Sequence, residues 1–112
     1  MLAILTMQPL VSLSAGVAAC EVVFVRGDAN ADGLYNIADS VFMLAFLFSG
    51  GATPPCDDAG DANDDGLLNI ADPSFILNNL FAGGPPPPPP HPACGVDPTA
   101  DPLGCVSFPP CP

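Results

Sequence analysis

A small, mainly α fold made of two loop–helix repeats is the architecture this sequence predicts, and three observations carry it. A stretch of 25 residues occurs twice without gaps, Gly27 to Gly51 (GDANADGLYNIADSVFMLAFLFSGG) over Gly60 to Gly84 (GDANDDGLLNIADPSFILNNLFAGG), at an offset of 33 residues. Each copy runs from an Asp/Asn/Gly loop into an apolar segment of helical spacing and stops at Gly-Gly, a helix C-cap signal. Finally, 16 Pro and 11 Gly among 112 residues leave little chain for regular structure, so the 49% of apolar residues builds only a small core that needs reinforcement.

Residues 1–25 read either as a signal-like segment or as the end of an upstream domain. MLAILTMQPLVSLSAGVAAC is apolar with small residues at its end, yet it lacks the Lys or Arg that orients a signal peptide. Val17-Ala18-Ala19-Cys20 also has the pattern of a bacterial lipoprotein cleavage box. Pro9 interrupts a run already near the roughly 18-residue minimum for crossing a bilayer, which argues against a membrane-spanning segment. If an upstream domain ends here, Glu21 to Val25 (EVVFV) is its last strand by alternation and β-branching.

Residues 26–84 hold the repeats, 27–51 and 60–84. Helices this short are marginal alone, so the copies are expected to pack as a pair through the positions they share, Ile37, Phe42, Leu44, Leu47 and Phe48 with Ile70, Phe75, Leu77, Leu80 and Phe81. The segments before the loops, Glu21 to Gly27 and Asp57 to Gly60, are too short and too rich in Gly and Asp to supply an entering helix. Residues 85–92, six prolines followed by His91-Pro92, read as a polyproline strut spanning ~25 Å at ~3.1 Å per residue. The tail, 93–112, has no periodicity and holds three of the five cysteines, so disulfides must order it.

Five cysteines in a short, loop-rich chain point to an oxidising compartment and hence to secretion or the cell surface. Cys20 stands apart and the other four pair two by two, in an order that sequence does not fix. The expected scheme joins Cys94 with Cys105 across CGVDPTADPLGC and Cys56 with Cys111, the strut carrying the tail back along the repeats.

Twelve acidic residues face a single Arg26, giving a formal charge of −11. Such a surface repels phosphate backbones and anionic lipid head groups, which excludes nucleic acid as a partner and leaves a cation as the natural counterpart. Eleven of the twelve acids are Asp, short carboxylates suited to ligation from a fixed position. Counting Asp28 as loop position 1 puts Asn30 at 3, Asp32 at 5, Gly33 at 6, Leu34 at 7, Asn36 at 9 and Asp39 at 12; the second copy supplies Asp61, Asn63, Asp65, Gly66, Leu67, Asn69 and Asp72. This is the EF-hand calcium-loop spacing, in which side chains at 1, 3, 5, 9 and 12 and the carbonyl of position 7 surround a hard cation. Two calcium sites are therefore expected. Asn, Asp and Gly also build ordinary Asx turns without a metal, but a second copy in phase weighs against that. Asp at position 12, where the common EF-hand has Glu, brings the helix closer, and Asn36-x-x-Asp39 and Asn69-x-x-Asp72 double as helix-capping pairs.

A duplicated calcium loop with only an exiting helix resembles the dockerin family, the calcium-binding modules that attach secreted polysaccharide-degrading enzymes to cohesin domains. With the Pro-rich, Cys-containing tail, the resemblance is closest to dockerin-type repeats at the C-termini of secreted or surface proteins of planctomycete-like bacteria. It implies a calcium-stabilised, EF-hand-like protein-interaction module with a cohesin-like partner. Loop positions 10 and 11, often Ser-Thr in cellulosomal members, are Ile37-Ala38 and Ile70-Ala71 here, a departure at the recognition positions. A structural cap or stalk without a partner is the competing expectation. An enzyme is not expected, since the sole His91 lies in polyproline and no nucleophile has a base beside it. The partner-binding face is expected on the first helix at Val41, Ala45 and Phe46, apolar where the second copy has Ser74, Asn78 and Asn79.

Overall fold

The two long helices begin where the Asn-x-x-Asp pairs place them. In the computed structural model, which describes residues 22–112, α1 spans Ile37–Phe48, α2 is one turn at Asp57–Gly60 and α3 spans Ala71–Phe81. Asn36 Oδ1 accepts from the Ala38 amide at 2.9 Å while the Asp39 carboxylate accepts from the Asn36 amide at 2.9 Å, a reciprocal capping box. In the second copy, Asn69 Oδ1 accepts from Ala71 at 3.0 Å and Asp72 Oδ2 from Asn69 at 3.0 Å. These amides are among those a helix start leaves without partners. Both helices stop where Gly50 (φ 70°) and Gly83 (φ 75°) turn left-handed. The next amide then folds back, Gly51 onto the Ala45 carbonyl at 2.9 Å and Gly84 onto Asn78 at 3.0 Å.

α1 and α3 lie against each other, with the Ser40 hydroxyl donating to the Pro73 carbonyl at 3.2 Å inside the contact. The residues buried there differ from expectation. Met43 and Ile76 are fully buried, whereas Ile37, Phe48, Ile70 and Phe81 are exposed, and Phe42, Leu44, Leu47, Phe75, Leu77 and Leu80 are half-buried. The reason is the capping carboxylate. Asp39 and Asp72 turn inward toward their loops, so the face that continues from them at helical spacing, Ser40 and Met43 or Pro73 and Ile76, is the one that goes inside. Met43 and Ile76 occupy equivalent positions, 33 apart, but are not identical, so a comparison of shared residues passes over them.

A second core lies outside the two long helices: Phe24, Cys56, Ala59, Phe108 and Cys111 are buried together, with Val22, Val23, Val25, Ala31 and Cys105 packed against them. The expected strand at Glu21 to Val25 is reduced, within the described residues, to one antiparallel bridge, Phe24 with Gly95, closed by hydrogen bonds of 2.9 and 3.0 Å. Among the described residues there are no strands. The signal-like segment with Cys20 lies outside them. The one-turn helix α2 is a further departure from expectation: Cys56 sits at its N-cap, and the Gly60 and Asp61 amides reach back to Cys56 and Asp57 at 3.3 and 3.0 Å. One turn held by a disulfide needs no helix propensity of its own.

The disulfides are Cys56–Cys105 and Cys94–Cys111, not Cys94–Cys105 and Cys56–Cys111. Chain pairing decides this. Residues 104–107 run antiparallel to the linker, with Asp58 N to Gly104 O at 3.1 Å and Ser107 N to Pro55 O at 3.4 Å, which sets Cys105 opposite Cys56. Closing loops of 49 and 17 residues' separation, the two bridges contribute about 4 and about 3 kcal/mol by chain entropy.

The polyproline segment is not straight. It bends at Pro89 and Pro90, and Pro87 and Pro90 are buried. The cause is Arg26, wholly buried, whose amide donates to the Pro90 carbonyl at 2.6 Å and whose Nε donates to Pro89 at 3.1 Å. Polyproline carbonyls have no internal donors, so they take these. The guanidinium continues inward, Nη1 reaching the Asp58 and Asp61 carbonyls at 3.1 Å each and Nη2 the Asp97 carboxylate at 3.0 Å, and it stacks 5.3 Å over the Phe24 ring. His91 Nδ1 meets the Arg26 carbonyl at 2.8 Å, and its ring forms a T-shaped pair with Tyr35, the centroids 4.7 Å apart.

Two outcomes test this framework. Non-reducing peptide mapping should recover Cys56 joined to Cys105 and Cys94 to Cys111, and any other pairing contradicts the antiparallel tail. Arg26→Met, which keeps the stem and removes every side-chain donor, should lower unfolding stability by about 3–5 kcal/mol in denaturant melts. An unchanged midpoint would show the guanidinium to be dispensable.

Candidate metal centre

Each loop folds its carboxylates inward by using them as acceptors for its own amides. In the first, Asp28 takes the Asp32 and Gly33 amides at 3.2 and 2.9 Å, Asp32 takes Leu34 at 2.9 Å, and Asp39 takes Asn36 and Asn30 at 2.9 and 3.4 Å. The second reproduces this: Asp61 with Asp65 and Gly66 at 3.2 and 2.9 Å, and Asp65 with Leu67 at 3.0 Å. Gly33 and Gly66 carry the turn with φ of 85° and 82°, a conformation that a Cβ penalises. Ala31 and Asp64, both at loop position 4, are also left-handed, at 55° and 57°.

These turns bring Asp28, Asp32 and Asp39 together with one carboxylate oxygen of each within 4.8 Å of the others, and Asp61, Asp65 and Asp72 likewise. In each trio positions 1 and 12 are buried and position 5 is exposed, so each cluster opens to solvent on one side. Asn36 and Asn69, expected at position 9, have their side-chain oxygens engaged by the helix amides of Ala38 and Ala71. Asn30 Oδ1 faces the Asp32 amide at 3.3 Å, and the Asn63 amide group donates to Asp65 at 3.3 Å. The side chains of Leu34 and Leu67, expected to act through their carbonyls, point outward and are exposed.

The second loop carries a mark of incomplete satisfaction. Asp72 Oδ1 and Asn63 Oδ1 are sealed from solvent and have no hydrogen-bond partner, a costly state for a buried oxygen. All side-chain donors in both trios are carboxylate oxygens, the set that suits a hard divalent cation, so the residues present fit such an ion.

Electrostatics agree. Burial first, then the charge of neighbouring Asp28 and Asp32, pushes Asp39 up to about 7 against the amides that favour its ionised form. Burial, with Asp61 and Asp65, does the same to Asp72, also to about 7. Asp28 and Asp61 are raised as well, chiefly by burial. Tyr35 shares this field: half-buried, donating to Asn79 at 2.8 Å, its hydroxyl is pushed to about 12 by burial and by Asp39.

A further acidic group escapes the repeat pattern. Asp58 of α2 meets Asp97 and Asp101 of the tail, and Asp101 also groups with Asp61 and Asp64. Burial and the charges of Asp97 and Asp101 raise Asp58 to about 7. Burial works against Asp97 too, but the Thr99 donors and the Arg26 charge hold it below the usual carboxylate range. Sequence reasoning missed this cluster, because its members come from α2 and the tail and share no local spacing.

Of the residues expected to form a partner face, Val41 is 58% exposed, while Ala45 and Phe46 are half-buried. Exposed apolar side chains are not confined to the first copy: Leu34, Ile37 and Phe48 have counterparts in Leu67, Ile70 and Phe81. No described helix is long and apolar enough to cross a membrane.

Because Asp39 and Asp72 bind protons more tightly in the folded chain than in the unfolded one, metal-free stability is fullest below the ordinary value of 3.8 and is lost as pH rises to about 7. Thermal melts in chelator should therefore give a higher midpoint at about pH 4.5 than at pH 8. A midpoint that rises with pH would contradict the clustering.

Compared with known proteins, the chain matches no family model, no curated protein and no solved structure.

Proposed function

We propose that this chain is a calcium-binding, dockerin-like protein-interaction module of a secreted protein, its two loop–helix repeats held as a pair by one calcium ion in each loop. The observation that carries the reading is the duplicated trio, Asp28, Asp32 and Asp39 and again Asp61, Asp65 and Asp72, each converging within 4.8 Å at the start of a helix. Asn30 and Asn63, the carbonyls of Leu34 and Leu67, and Asn36 and Asn69 through water would complete the oxygen shell. A bound ion neutralises charges that otherwise repel one another, and so binding and folding are linked.

Interaction is supported by what the helices leave uncovered. Ile37, Val41 and Phe48 on α1 and Ile70 and Phe81 on α3 are exposed apolar surface. A cohesin-like domain is the partner the resemblance implies, and attachment of a polysaccharide-degrading or surface protein is the role. A second reading has its own support: two disulfides and the buried Arg26 fasten the tail closely, as in a protease-resistant structural cap. Size-exclusion chromatography with a cohesin-like domain separates them. A complex that forms with calcium and dissociates with EDTA supports the interaction module, and its absence at high concentration favours the cap.

Calcium itself is tested first. Adding it to the metal-stripped chain should increase helical circular dichroism and raise the melting temperature, with EDTA reversing both. Asp28→Asn and Asp61→Asn should each abolish binding in one loop. Spectra and melting indifferent to EDTA would overturn the calcium reading.

A further inference from the structure

We propose that α2 and the C-terminal tail form a third divalent-cation site, made by Asp58, Asp97 and Asp101. One oxygen of each lies within 4.8 Å of the others, and none of the three belongs to a ligand position of either repeat loop. The independent sign of a ligand is Asp58 itself: the residue is only 5% exposed, and its Oδ1, closed off from solvent, has no hydrogen-bond partner. A carboxylate in that state is strongly disfavoured unless a cation or donor meets it. Asp101 repeats the pattern. Its Oδ1 accepts from the Leu103 amide at 3.0 Å, while Oδ2 is buried and unpartnered.

Arg26 does not fill the gap. It reaches the main-chain carbonyl of Asp58 at 3.1 Å, the Asp97 Oδ1 at 3.0 Å and Asp64 at 3.4 Å. Four carboxylates around one guanidinium, Asp58, Asp64, Asp97 and Asp101, leave three negative charges unmatched. An all-carboxylate donor set of that charge suits a hard cation of the calcium class. The ion would join α2 to the tail across a contact that Cys56–Cys105 and the Asp58–Gly104 hydrogen bond already fix. Its donors come from separate segments, unlike those of the loops, so it does not depend on the loop reading.

The test is a count of calcium ions on the full disulfide-bonded chain at about pH 7.5, by calorimetry and native mass spectrometry, in wild type and in Asp58→Asn, Asp101→Asn, Asp28→Asn and Asp61→Asn. The expected result is three ions in wild type, two in Asp58→Asn and in Asp101→Asn, and the tail ion retained when either loop variant loses its own. Two ions in wild type, undiminished by Asp58→Asn and Asp101→Asn, would overturn the third site and leave the loops standing; Asp58 and Asp97 then share a proton instead. One ion in wild type, lost in Asp58→Asn, would uphold this site and sink the loop reading. If Asp58→Asn fails to fold, Asp101→Asn decides, since Asp101 is only half-buried.

Discussion

The polyproline, the tail and the one-turn helix α2 meet at one guanidinium. In a chain of net charge −11 with no other Lys or Arg, Arg26 is fully buried and bonded to the polyproline carbonyl of Pro89, to the carbonyls of Asp58 and Asp61, and to the tail carboxylate of Asp97. Burying a cation costs several kcal/mol before any partner is counted, and the cost is offset only because the guanidinium meets a partner in several directions at once. That geometry suits Arg and no other side chain, as its donors fan out in a fixed plane. The tail pairs with the linker and α2 through the Asp58–Gly104 and Ser107–Pro55 backbone bonds, and the guanidinium adds the polyproline to that pair. Polyproline, tail and α2 each supply an acceptor to the same group.

The other constraint is the carboxylate that closes each loop. Asp39 and Asp72 are at once helix-capping acceptors and members of the acidic trios, so the rotation of α1 and α3 follows from the loop and not from the distribution of apolar residues. Met43 and Ile76 go inside although Phe48 and Phe81 are larger. The aromatic residues remain outside because turning the helices to bury them would swing the carboxylates out of their clusters.

The local features were legible because each is coded by neighbours in sequence. The duplicated loop, the glycine at loop position 6, the Asn-x-x-Asp starts and the Gly-Gly stops all concern residues within a few positions of one another, and the structure has them where the spacing puts them. What could not be read arises between distant segments. The pairing of Cys56 with Cys105 depends on an antiparallel contact that no local pattern encodes, and the core around Phe24 and Phe108 unites residues from both ends of the described chain. His91, placed by sequence in the polyproline strut, is engaged because Arg26 and Tyr35 lie beside it. The trio Asp58, Asp97 and Asp101 was hidden for the same reason, being contributed by α2 and the tail.

The two disulfides interlace: along the chain their ends come in the order Cys56, Cys94, Cys105, Cys111, each bridge starting before the other has closed. Any single cut of the backbone between Cys56 and Cys111 is therefore spanned by at least one bridge, and the nicked fragments stay covalently one molecule. The second loop and α3 lie inside this closed circuit, whereas the first loop and α1 lie before it and are joined to it through the backbone at residues 52–55. The two copies, so alike in sequence, are thus unequal under proteolysis: a cut in the short linker frees the first repeat from covalent attachment, while a cut within the second detaches nothing.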